Sequence, residues 1–217
     1  MRDLSIDQKQ FSPAKIRSTI SSLKDELVYP EDYEIEADDP FRKEVHRVYS
    51  QYRQTLKKQN AMDFDDLLMK TVELFEENPR ILGKYQSQFK YVLIDEFQDT
   101  SLLQWENFKP LIHESLSSGD ENLIVGDIKQ SIYRWRGSKS TIMQKSVYDD
   151  MDSKAISVNY LKNNWRSAEV IVDFNNIFFS EISKIFSEKK ICFELKKIYN
   201  DDLIQEVIQE KKNKGFV

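Results

Sequence analysis

The sequence predicts an α/β protein, helix-rich overall, in which a helical first third leads into a parallel sheet. Helical apolar spacing runs through roughly the first 85 residues. Short apolar runs at 91–94 and 123–125 then end in acidic or glycine-acidic turns, with a helical segment near 101–116 between them. Short strands alternating with helices give parallel pairing through helical crossovers, and ligands bind beyond the carboxyl ends of such strands.

Taken in order, Ser12-Pro13 reads as an N-cap followed by proline in the first turn, and Ile16, Ile20, Leu23 and Leu27 recur at helical spacing, predicting a helix over about 13–27. The acid-rich stretch from Pro30 to Pro40 lacks an apolar stripe and is expected as an exposed connection. Val45, Val48, Tyr49, Tyr52 and Leu56 mark a second helix. Phe64, Leu67, Leu68, Val72 and Phe75 mark a third, with Asp63 as its cap. The runs Tyr91 to Ile94 and Leu123 to Val125 are expected as buried strands. A third strand is expected over about 156–160, and helices near 167–187 and 200–213. With five Gly and five Pro there is no flexible linker or low-complexity tract.

A chain of 217 residues, 40% hydrophobic, can build one large or two small domains with a real core. Its 37 acidic and 32 basic side chains give a net charge of -5, which argues against a uniformly basic nucleic-acid coat protein. DNA binding on one face stays open, because that affinity depends on where Lys and Arg cluster. Cys192 is the only cysteine, so neither an internal disulfide nor a multi-cysteine zinc site can form, and a reducing cytoplasm fits best. His46 and His113 have no ligand-like spacing and are expected in ordinary structural roles. No apolar stretch approaches the ~18 residues of a membrane span, and MRDLSIDQKQ has no signal-peptide core, so neither membrane insertion nor secretion is expected.

Chemistry concentrates in four segments. In YVLIDEFQDTS a strand delivers Asp95 and Glu96 together at its end. This suits an Asp that holds Mg²⁺ through water beside a Glu that orients and deprotonates an attacking water; plain capping or surface carboxylates are the alternative. In LIVGDIKQSIYRWRGS, Gly126 allows a tight turn and Gln130 offers an amide that can reach a terminal phosphate. Tyr133, Arg134, Trp135 and Arg136 then combine rings and cations in the manner that stacks single-stranded bases, or else form an aromatic core cluster. In NNWRSAEVIVDF, Arg166 precedes Ser167, a candidate helix N-cap, and an arginine there can be aimed into a cleft or simply sit on the surface. In AMDFDDLL, amphipathicity alone makes Phe64 a core residue, and Asp65 and Asp66 cap or brace local structure rather than bind metal.

DEFQDT resembles the Walker B motif of the UvrD/Rep branch of superfamily 1 DNA helicases, and VGD-x-x-QSIY-x-WRG resembles motif III of that family with every anchor residue in place. NWRS resembles motif IV, usually QNYRS, with Trp165 in place of tyrosine, a change that keeps the stacking face and loses the hydroxyl. AMDFDDLL matches a further signature of the family. The resemblance covers about 12–187 and implies a partial RecA-like P-loop NTPase sheet with a helical insertion domain. Residues 1–85 would belong to the insertion, 86–155 to the ATPase core, and 156–217 would carry motif IV and the start of a second RecA-like domain.

The resemblance also implies roles. Asp95 would hold Mg²⁺, Glu96 would be the catalytic base, and Gln98 and Asp99 would link nucleotide state to the next motif. Gln130 would contact the γ-phosphate side, Trp165 would stack on adenine, and Arg166 would act as a finger on the γ-phosphate. Phe64, Tyr133 and Trp135 would lie along single-stranded DNA, and Arg136 would bridge toward DNA or the acid pair. ATP and Mg²⁺ are therefore the expected ligands of the intact parent. Single-stranded DNA is its expected substrate, in repair or recombination, with a possible partner subunit. The wording of SLLQWENFKPLI and KQSIYRWR is similar to the RecB/AddA branch.

No G-x-x-x-x-G-K-[ST] string occurs. The chain is therefore expected to be an internal fragment without turnover of its own, whose truncation-exposed surface can drive dimerisation. Two other readings are a non-catalytic single-stranded-DNA or protein-interaction module with this fold, and a carboxylate hydrolase using Asp95 and Glu96.

Overall fold

In the computed structural model, which describes residues 4–34, 39–132, 141–188 and 204–212, helix α1 (Pro13–Asp25) opens on proline at the position where a missing N–H costs nothing. It stops two residues short of the expected end because Leu27 turns left-handed, with φ 57°, and the Val28 N–H folds back onto Leu23 O at 2.8 Å. Helix α2 (Pro40–Lys58) is capped by Asp39, which accepts from Arg42 N at 3.0 Å. Helix α3 (Phe64–Glu77) carries a reciprocal box in which Asp63 accepts from Asp66 N at 2.8 Å and Asp66 accepts from Asp63 N at 3.2 Å. The faces of α1 and α2 that carry Ile16, Ile20, Val45 and Tyr49 bury together. Met69 and Val72 of α3 join Leu103 in a second cluster. Helix α4 (Pro79–Gln88), which the sequence reading did not single out, follows α3 after one residue.

Strand β1 (Leu93–Ile94) pairs in parallel with β2 (Leu123–Ile124), in the register Leu93 with Leu123 and Ile94 with Ile124. Helix α5 (Leu102–Ser117) is the crossover, capped by a Ser101/Gln104 box. The expected α/β arrangement is thus present, but the strands are not buried on both faces: Leu93 is 71% and Leu123 51% exposed, and Tyr91 is exposed with them. Among the described residues the first unit's sheet has these two strands, and its odd-numbered side meets no second layer. A π-helical turn (Ile142–Ser146) and the short helix α6 (Val147–Asp150) close this part of the chain.

Contacts divide the chain into two compact units, Met1–Ala155 and Ile156–Val217. In the second, the strand expected over 156–160 is unpaired backbone, and pairing begins later, at β3 (Asn163–Asn164). After α7 (Glu169–Glu188), the described part of the segment expected to be helical near 200–213 forms β4 (Glu206–Val207) and a 3₁₀ turn (Gln209–Lys211) instead. Two causes are visible. Ile204, Val207 and Ile208 are β-branched and favour extended backbone. Asn164 and Asn176 also hold Gln205, through Asn164 Nδ2 to Gln205 Oε1 at 2.7 Å and Asn176 Nδ2 to Gln205 O at 2.9 Å, which places Glu206 parallel to Asn163. No described helix is long and apolar enough to cross a membrane.

Candidate functional site

The end of β1 sets the site. Val125 N donates to Ile94 O at 2.8 Å and Phe97 N to Val125 O at 3.0 Å, so the two strand ends stay registered past the last paired residues. Between those bonds Asp95 and Glu96 emerge, both exposed. Asp95 Oδ1 accepts from Glu96 N at 2.8 Å. Glu96 itself is left-handed, φ 52°, a conformation that costs a non-glycine residue about 1–2 kcal/mol. The turn drops the chain into a 3₁₀ turn (Phe97–Asp99), which buries Phe97 edge-on to Trp105 at 5.5 Å and buries Gln98 beside it. Trp105 is fixed in turn by its Nε1 donating to Asp150 Oδ2 at 2.6 Å.

Gln98 joins the two strand ends. Its Nε2 donates to Glu96 Oε2 at 2.6 Å, and its Oε1 accepts from Asp127 N at 2.9 Å. The Asp127 carboxylate accepts from Gln130 Nε2 at 3.1 Å and pairs with Lys129 Nζ at 3.1 Å. Glu96, Gln98, Asp127 and Gln130 thus form one continuous polar path from the acid pair to the amide after β2. A buried amide with both ends engaged adds rigidity, and breaking either end costs about 1–3 kcal/mol.

Gly126 is required here for space rather than for its turn. Its backbone is not in the left-handed region, which among described glycines only Gly119 occupies. A Cβ at Gly126, however, would meet Gln98 Oε1 at 2.8 Å and Met143 Sδ at 3.0 Å.

The predicted residues divide as follows. Asp95, Glu96, Gln98 and Gln130 come together in the first unit. Asp99, expected to share the linking role, has its Oδ1 buried without a hydrogen-bond partner among the described residues and does not join the path. Tyr133, Trp135 and Arg136 lie outside the described residues. Trp165 and Arg166 belong to the second unit, where Trp165 is 71% exposed. Ser167 does not cap α7, which begins at Glu169. The turn is instead organised by Asn164, whose Oδ1 accepts from Arg166 N at 3.0 Å and from Ser167 N at 2.8 Å. Asp127, in the path, and Asn164, in the turn before α7, are positions that the sequence reading did not single out. The signal for Asp127 was the acid directly after Gly126, and for Asn164 an Asn two residues before Arg166.

Phe64 is 88% exposed, which rules out the core reading. The aspartates around it are all engaged: Asp65 accepts from Ser21 Oγ at 2.8 Å, and Lys24 Nζ lies 2.6 Å from Asp63 and 2.7 Å from Asp66. Burial would raise the Asp63 carboxyl, but the Lys24 ammonium, the Asp66 N–H and the Tyr52 hydroxyl outweigh it and hold it below the usual range. Burial, and then its bond to Asp63, push the Tyr52 hydroxyl up to about 12.

The exposed carboxylate of Asp95 at the end of β1 is an oxygen donor of the kind that would hold a magnesium ion through water. Among the described residues no group of three or more His, Cys, Asp and Glu is arranged to cage a metal.

The model of the UvrD/REP helicase N-terminal domain matches residues 1–152. Over 191 residues the chain is 38% identical to the ATP-dependent DNA helicase PcrA of Staphylococcus aureus (strain Mu50), covering 88% of this chain and 24% of that protein. To the ATP-dependent DNA helicase PcrA of Leuconostoc citreum it is 37% identical over 177 residues, 81% of this chain and 23% of that protein. The chain therefore spans about a quarter of the length of these relatives. Over the acid pair, the Gln98 link and the helices around Phe64, the chain belongs to the UvrD/REP helicase family.

Proposed function

We propose that this chain supplies the magnesium-holding and water-activating side of an ATP site, together with part of a single-stranded DNA track, in an ATP-dependent DNA helicase. The observation that carries the reading is the path Glu96–Gln98–Asp127–Gln130, which ties a general base to a polar amide at the neighbouring strand end. The names of the relatives, ATP-dependent DNA helicases, support it.

In this reading Asp95 would hold Mg²⁺ through water, and the ion would supply positive charge beside the phosphates. Glu96 accepts the proton of the attacking water, and the Gln98 amide, donating to the same carboxylate, aims it. Gln130 stands at the γ-phosphate side, held by Asp127. Arg166 acts as the finger on the γ-phosphate and Trp165 stacks on adenine. Phe64, Tyr133 and Trp135 stack on bases, and Arg136 holds the strand near them. Residues 1–85 form the insertion portion, 86–155 the ATPase-core portion, and 156–217 the start of a second RecA-like domain. The finer reading is a cytoplasmic role in DNA repair or recombination, alongside a partner subunit or as a dimer through exposed apolar surface.

The test joins the chain to an upstream segment carrying G-x-x-x-x-G-K-[ST] and measures ATP hydrolysis with and without single-stranded DNA. DNA-stimulated hydrolysis is expected, falling by roughly a hundredfold or more in Glu96→Gln, a loss typical of a removed general base. The unfolding midpoint of Glu96→Gln should hardly change, because a glutamine carbonyl can still accept from Gln98. Absence of hydrolysis in the joined protein would refute the reading.

A further inference from the structure

Lys24 is 2% exposed, and its ammonium is enclosed by Asp63, Asp66 and the face of the Tyr52 ring, 5.2 Å away. Asp63 and Asp66 already complete the capping box of α3 through their own backbone N–H groups. The cap alone accounts for about 1 kcal/mol and needs no lysine. Replacing a buried ion pair by apolar packing is often neutral or stabilising, so stability by itself is a weak reason to bury an ammonium here. What the arrangement does achieve is fixation. Tyr52 OH donates to Asp63 at 2.8 Å from α2, and Ser21 Oγ donates to Asp65 at 2.8 Å from α1, one turn from Lys24. Every carboxylate in the first turn of α3 is tied inward, and the residue between them, Phe64, is displayed outward at 88% exposure. Leu67, one turn on, continues the same exposed apolar edge at 49%.

We infer that Lys24 is a positioning residue for DNA binding: it locks the first turn of α3 so that the Phe64 ring stands as a rigid stacking platform. The inference rests on the proposed placement of Phe64 against single-stranded DNA. A ring carried on a fixed backbone turn starts with less freedom to lose when a base stacks on it, so the lock lowers the cost of binding without touching the nucleic acid.

A double-mutant cycle in the 217-residue chain tests it, with fluorescence anisotropy of a labelled oligo(dT) strand as the readout. Phe64→Ala should weaken binding by roughly 5- to 150-fold, the range of one lost base–aromatic stack. Lys24→Met should weaken binding by about tenfold when Phe64 is present and less than about twofold in the Phe64→Ala background. A purely structural lysine would cost the same in both backgrounds, and that additivity would overturn the inference. Far-UV circular dichroism shows whether Lys24→Met folds. If it does not, Tyr52→Phe and Ser21→Ala decide in its place, since each cuts one tether and leaves the Lys24 ion pairs intact. Coupling of either to Phe64 supports the lock, and additivity of both rejects it. If Phe64→Ala leaves binding unchanged, the placement of Phe64 on DNA fails; if it weakens binding but the tethers do not couple to it, only the role of Lys24 fails.

Discussion

Adding one methyl group at Gly126 is the sharpest perturbation of the path between the two strand ends. The new Cβ would lie 2.8 Å from Gln98 Oε1, 3.0 Å from Met143 Sδ and 3.2 Å from Gln98 N. The thioether is the flexible end of its side chain and can yield, whereas the Gln98 backbone is held in its 3₁₀ turn. The amide oxygen must therefore leave Asp127 N, now 2.9 Å away, and the Nε2 bond to Glu96 turns with it. Overpacking of this kind costs about 1–3 kcal/mol, and an N–H stripped of its partner costs roughly as much again where burial keeps water away. Because Asp127 is only partly buried, Gly126→Ala should destabilise the chain by about 2–4 kcal/mol. Urea unfolding followed by far-UV circular dichroism measures it, with a midpoint shift of about 1–2 M expected for typical slopes. In a Gln98→Ala background the clashing atom is gone, and the same methyl group should cost less than about 1 kcal/mol. Equal costs in the two backgrounds would refute the reasoning.

Two further outcomes follow from the same geometry. Asp63 has its folded-state pKa depressed below the ordinary 3.8, so its stabilisation is complete above that value and is lost as pH falls through the lower, folded one. Urea midpoints should drop as pH is taken below about 4, and that slope should flatten in Asp63→Asn. Trp105→Phe removes the donor to Asp150, leaves that carboxylate with Lys109 at 3.9 Å, and opens space in a fully buried site. A loss of about 2–4 kcal/mol is expected by the same urea assay.

Helices α1, α2, α3 and α5 were legible because their signals are local, whereas α4 was not singled out. Ser12 before Pro13, Asp63 before Phe64, and apolar residues one turn apart each name an element without reference to the rest of the chain. The acid pair was legible for the same reason: an apolar run had to end in a polar turn. Non-local facts were hidden. Nothing near Val207 announces that Asn164 and Asn176, more than a helix away, hold Gln205 and turn a segment of helical spacing into a strand. Phe64 shows the limit most clearly, since its position in the apolar pattern suggests burial. Its exposure goes with the contacts of its neighbours, since Ser21 holds Asp65 and Lys24 and Tyr52 hold Asp63, all from other helices.

The Lys24 ion pairs span 39 and 42 residues of sequence. They can form only after α1 and α3 have docked, and they need both side chains aligned at close range. Interactions absent from the folding transition state act on the rate of opening far more than on the rate of closing. For the first turn of α3, the lock therefore sets a lifetime: it decides how long Phe64 stands in place before the turn frays.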